Sequence, residues 1–178
     1  MKTFQLLLAL TFILQQLAKS QEQDIPPIIV EKLSEHLFML TGGRGANSGM
    51  YIGDNEVLLI DSKMDKASVE GIFTAVDGFT NKPVTYLVNT HSDGDHINGN
   101  EFFPKEVIII GHENCRAEFF HPGRDGTPSK WSDEKLLRFV PRLTFNDRMQ
   151  LHLGSKTVEL AVFRGKEITV GDAVILER

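Results

Sequence analysis

Apolar residues along this chain fall mostly into short, β-branched runs separated by Gly, Asn, Asp and Pro, the pattern of strands joined by turns. Such runs occur at Ile28 to Val30, Leu37 to Leu40, Met50 to Ile52 and Val57 to Ile60, with Gly53-Asp54-Asn55 as a turn between the last two. The spacing then changes. Val69, Ile72, Phe73 and Val76 recur at i, i+3, i+4 and i+7, which predicts a helix over 67–76. Gly78 and Asn81-Lys82-Pro83 stop it. Strands follow at Val84 to Val88 and Val107 to Ile110, then a short helix from His112 to Phe120 with His112 at its polar start. After a Gly- and Pro-containing loop, Trp131 to Val140 reads as helical and Pro141 ends it. The remainder reads as hairpins: Leu143 to Phe145, Met149 to Leu153, Thr157 to Phe163 and Ala173 to Glu177. Asn146-Asp147 and Gly154-Ser155 supply turns between the first three. The strand–helix–strand order in the middle predicts an α/β fold whose site lies at the carboxyl ends of buried strands.

The chemistry concentrates at one such end. The run Val84 to Val88 stops at Asn89-Thr90, and His91-Ser92-Asp93-Gly94-Asp95-His96 follows, two histidines and two aspartates within six residues. Imidazole nitrogen and carboxylate oxygen both suit a borderline ion such as zinc. A tight turn bent at Gly94 would let them converge. The alternative is a solvated loop whose Asp or Ser caps the next helix.

Composition narrows the classes. A 178-residue chain suits one domain. Its net charge of −5 argues against nucleic-acid binding. The first twenty residues stand apart: Lys2, an apolar stretch from Phe4 to Leu14, then Ala18-Lys19-Ser20, the form of a signal peptide over 1–20. That stretch is short of the ~20 residues a membrane span needs. Residues 21–27 read as a leader and 28–178 as the domain, secreted or periplasmic and free of the membrane after cleavage. Cys115 is the sole cysteine, so no internal disulfide forms, and it reads as a core residue. His121 reads as a surface residue and His152 as structural. The glycine-rich segment Thr41 to Gly49 lacks the Gly-Lys-Ser/Thr ending of a phosphate loop.

Thr90 to Asn100 resembles the metal-binding signature of the metallo-β-lactamase superfamily, His-x-His-x-Asp-His followed by Gly-Asn. His91, Asp95, His96, Gly99 and Asn100 match it, and Asp93 stands where the second histidine of the signature is expected. The succession of strands ending in Val-Leu-Leu-Ile-Asp61 is also similar to the opening of that domain. There the equivalent aspartate supports the metal site; capping of the following segment is the other reading of Asp61. The resemblance runs from about Val30 to the end and implies the αββα sandwich, mainly its N-terminal half. It implies a zinc-dependent hydrolase acting on a small-molecule substrate. His91, Asp93, Asp95 and His96 would be the metal ligands, with Asp95 as general base toward the attacking water.

Two departures qualify that expectation. Where the family carries Gly-x-x-His-Thr-x-Gly-Asp, this chain has Gly165-Lys166-Glu167-Ile168-Thr169-Val170-Gly171-Asp172, so Ile168 replaces a ligand. The family's second half, with its bridging aspartate or cysteine and final histidine, does not follow. The expectation is therefore one weakly held Zn2+, impaired activity and self-association through an uncovered sheet. A non-catalytic metal-binding protein on the same fold, or a fragment of a longer hydrolase, are the alternatives.

Overall fold

The computed structural model describes residues 25–162 and 173–177. The segment at 1–20, most of the leader and the Gly165 to Asp172 stretch lie outside the described residues.

Seven strands form one mixed sheet in sequence order. The first four, β1 (Ile29–Lys32), β2 (Leu37–Thr41), β3 (Ser48–Ile52) and β4 (Val57–Ile60), make an antiparallel meander. The chain then crosses through α1 (Lys66–Phe79), capped by Asp65, whose carboxylate accepts from Ser68 N at 2.9 Å. It returns as β5 (Val84–Val88), parallel to β4, and continues to β6 (Ile108–His112) and β7 (Leu143–Phe145), also parallel. A second sheet of three antiparallel strands, β8 (Arg148–Leu153), β9 (Lys156–Val162) and β10 (Ala173–Glu177), runs in the order β10-β9-β8.

The near-continuous apolar runs of the central strands follow from burial on both faces. Met50, Leu59, Leu87 and Ile109 point to one side, where Val69, Ile72 and Val76 of α1 meet them. Their chain neighbours Tyr51, Leu58, Val88 and Ile110 point to the other, against Leu151, Leu153, Val158 and Leu160 of the second sheet. Helix, sheet and sheet are thus stacked around two cores. Each fully buried aliphatic side chain there contributes about 1.5–3 kcal/mol.

Two expectations are corrected. Trp131 to Val140 is not a helix but two single 3-10 turns, Lys130–Ser132 and Leu137–Phe139. Asp133 between them is extended, and its carboxylate accepts from Lys135 N at 2.9 Å, a local bond that competes with helical hydrogen bonding. Asn146-Asp147 is not a hairpin turn either. β7 pairs with β6, and the chain crosses there into the second sheet, where His112 Nε2 meets Asn146 O at 3.0 Å. His112 also starts the helix α3 (Glu113–Glu118), accepting from Asn114 N through Nδ1. Cys115 is fully buried.

Candidate metal centre

The parallel strands β4 and β5 end side by side, and the segments that leave them build the site. Asp61 N donates to Val88 O at 2.9 Å, so Asp61 stands beside the end of β5. Asp61 and Lys63 adopt φ of 58° and 67°, left-handed conformations that turn the chain away from the sheet at once. Beyond β5, Asp93 occupies the position before a four-residue helix α2 (Gly94–Ile97), which runs into a 3-10 turn at Asn98–Phe102. Asp93 makes no side-chain cap bond, which removes capping as its explanation. Gly94 has no positive φ, so the bend anticipated there is an ordinary helical turn rather than a glycine-dependent one.

Glycine is needed elsewhere. A Cβ on Gly99 would stand 2.0 Å from Ser62 O, because the turn presses on the segment after β4. Ser62 N and Ser62 Oγ both donate to His96 O, at 2.7 and 2.9 Å, and Gly99 N donates to Lys63 O at 2.9 Å. The glycine-rich loop closes from the other side. Gly45, at φ 110°, brings Ala46 N within 3.1 Å of Asp95 O, and a Cβ at Gly45 would meet that carbonyl at 2.5 Å. At the base of the turn Asn89 and Asn100, both fully buried, bond to each other. Lys63, fully buried, donates Nζ to Leu40 O at 3.1 Å and Gly42 O at 2.8 Å. Burial pushes its pKa down, and the nearby charge of Asp61 only partly opposes that.

Asp61 organises the donors. Its Oδ1 accepts from Thr90 N at 2.8 Å, and its Oδ2 receives both Thr90 Oγ1 and His96 Nδ1 at 2.7 Å. A carboxylate only accepts, so Nδ1 of His96 carries a proton. Burial disfavours the charged ring, but the hydrogen bond and charge of Asp61, with the charges of Asp95 and Asp93, outweigh it and raise the His96 pKa. The neutral ring, once formed, keeps Nδ1–H on Asp61 and leaves Nε2 as a lone pair. That is the arrangement of a metal-ligating histidine held by a carboxylate.

The four anticipated ligands come together as two pairs. His91 Nε2 lies 3.6 Å from Asp93 Oδ2, and His96 Nε2 lies 3.6 Å from Asp95 Oδ2. The two imidazole rings lie 3.8 Å apart, centre to centre. A nitrogen–oxygen gap of 3.6 Å is long for a hydrogen bond. It is near the ~3.4 Å edge of a tetrahedron whose corners stand about 2.0–2.2 Å from a zinc ion. Among the described residues, however, no three histidine, cysteine or acidic side chains form a group that could hold a metal. The histidines are largely buried while the Asp93 and Asp95 side chains are about half exposed. The donor chemistry fits a divalent ion: two imidazoles, and two carboxylates whose charge balances it. His121 is on the surface, paired with Glu118 at 2.8 Å, and His152 bonds Thr157 Oγ1 at 3.1 Å, so neither joins the site. Glu167 and Ile168 lie outside the described residues.

The role of Thr90 was not legible in the sequence. A threonine at a strand end is unremarkable there, and only the contact with Asp61 gives it meaning. Asp61 was legible as a candidate support. It does not cap the following segment, since Asp65 caps α1.

Comparison with known proteins agrees with this architecture. No curated protein matches the sequence. Among solved structures, a metallo-beta-lactamase from Pontibacter korlensis is similar at a TM-score of 0.66 and 18% identity, over 84% of this chain and 66% of that one. Native FEZ-1 from Legionella gormanii gives 0.64 and 16%, over 85% of this chain and 58% of that one. A metallo-beta-lactamase from Cronobacter sakazakii gives 0.62 and 18%, over 84% and 57%. The chain therefore spans less than two thirds of the length of these structures, whose fold it shares. Residues 41–166 match the family described as the metallo-beta-lactamase superfamily. The stretch includes every element of the site, and the chain belongs to that superfamily.

Proposed function

We propose that this protein is an exported zinc-dependent hydrolase with a site built on His91, Asp93, Asp95 and His96. The observation that carries this reading is Asp61 holding Nδ1 of His96, which leaves Nε2 free beside the Asp95 carboxylate. When bound, zinc supplies Lewis acidity and lowers the pKa of a water to ~7. His91, Asp93 and His96 would hold the ion. Asp95, whose side chain is about half exposed, would orient the attacking water and take its proton as general base. Asp61 and Thr90 keep the imidazoles in place. The substrate is a small molecule with an acyl group open to attack by water. Export rests on the Lys2 to Ser20 segment.

The test is hydrolysis of a chromogenic β-lactam and an activated ester by the purified chain with zinc, beside Asp95→Asn. Turnover abolished by that substitution supports the reading. A rate equal to buffer removes it. A second reading, metal binding without catalysis, is favoured by Ile168, which stands in the sequence where the family signature carries a further histidine. It gives a rise in melting temperature with zinc and no turnover.

A further inference from the structure

We infer that Thr90 is a positioning residue, passing the hold of Asp61 on to His91, so that one buried carboxylate fixes the ring orientation and tautomer of both histidines. The inference rests on the reading of His91 and His96 as ligands, and it concerns their state before any metal arrives.

A hydroxyl has one proton to give. Thr90 Oγ1 lies 2.7 Å from Asp61 Oδ2, which accepts only, so that proton goes to Asp61. Thr90 Oγ1 also lies 2.9 Å from His91 Nδ1. With its proton committed, the oxygen there acts as acceptor, and Nδ1 of His91 must be the donor. His91 Nε2 is then a lone pair, 3.6 Å from Asp93 Oδ2. His96 reaches the same state by direct contact of Nδ1 with Asp61 Oδ2. Two tautomers are thereby set by one group, directly on one side and through a hydroxyl on the other. The backbone contributes rigidity, because Thr90 N is itself tied to Asp61 Oδ1 at 2.8 Å. His91 is buried, so water is a poor substitute for the hydroxyl.

The inference separates three substitutions. Thr90→Val keeps the shape and removes the hydroxyl, so it releases His91 and spares His96. Thr90→Ser keeps the hydroxyl and restores His91. Asp61→Asn disturbs both rings. The experiment is nitrogen-15 NMR of the imidazole rings in the metal-free full chain, with the pH raised until the ring signals stop moving. The expected wild-type result is protonated Nδ1 and bare Nε2 on both histidines. In Thr90→Val the His91 signals move toward the opposite tautomer while His96 stays, and Thr90→Ser returns them. Zinc titrated into the same samples binds about 10–100-fold more weakly to Thr90→Val than to wild type, with recovery in Thr90→Ser. A wild-type His91 with its proton on Nε2 overturns the inference even if no variant folds. So do unchanged His91 signals in Thr90→Val. A chain that shows these tautomers without turning over substrate would refute the hydrolase reading alone.

Discussion

Asn89 and Asn100 face each other in the core as a closed amide pair. Asn89 Nδ2 donates to Asn100 Oδ1 at 3.2 Å, and Asn100 Nδ2 donates to Asn89 Oδ1 at 2.9 Å and to Phe139 O at 3.1 Å. The pair ties the end of β5 to the far end of the histidine–aspartate turn, so the turn cannot open without exposing two buried amides.

Truncating one partner strands the other. Asn100→Ala is expected to lower stability by about 1–3 kcal/mol, the cost of an unsatisfied buried polar group. Urea denaturation followed by circular dichroism reads this as a lower midpoint. A midpoint within error of wild type would show that the pair contributes nothing.

Gly99→Ala tests the close approach of the turn to Ser62. The added methyl would meet a backbone carbonyl at 2.0 Å, which no rotamer change relieves. The expected loss lies at the upper end of the about 1–3 kcal/mol typical of overpacking, and zinc binding falls with it. Gly94→Ala is the control. It meets only the flexible Asn98 side chain and has no positive φ, so its cost is smaller. Equal midpoints for the two variants would contradict this reading.

Zinc should stabilise the native chain by linkage. At a hundred times its Kd the expected gain is about 2.7 kcal/mol, seen as a rise in Tm. His91→Ala and His96→Ala are expected to remove that rise, whereas His121→Ala retains it. A rise that survives loss of both site histidines would place the metal elsewhere.

Lys63 gives a pH dependence with a definite sign. In the unfolded chain a lysine holds its proton up to ~10.4. Buried Lys63 gives its proton up at lower pH. Between its folded pKa and the unfolded value the unfolded state carries more protons, so the Lys63 contribution to stability rises with pH. Below that window both states are protonated and the contribution is flat. The measurement is the difference in unfolding free energy between wild type and Lys63→Met across the alkaline range. It should shift in favour of wild type as pH rises. A pH-independent difference would contradict this.

What the sequence disclosed and what it concealed divide along physical lines. Periodicity is a local signal, so α1 was legible from Val69, Ile72, Phe73 and Val76, and β5 from its apolar run. The turn from His91 to His96 stood out as the candidate because four donors in six residues is a dense code. Sheet membership is not local. Leu143 to Phe145 reads as a strand, but nothing in its residues says that it pairs with β6 rather than β8. Trp131 to Val140 misled because its apolar residues pack as isolated turns, with Trp131 and Val140 reaching one small core beside Phe119. Within the site, the Asp61–Thr90–His91 link joins residues twenty-nine apart in the chain and left no mark in the spacing.

The left-handed bend at Asp61 and Lys63 sets an order of failure. Residues with side chains enter that conformation at about 1–2 kcal/mol each, and here the adjoining strands and turn enforce it. Substitutions that slacken those neighbours are expected to let the bend relax before the strands part. The imidazoles then drift out of alignment while the spectrum of the sheet still looks native. Affinity for an ion held between those imidazoles would therefore be an earlier alarm of injury to this scaffold than any melting curve.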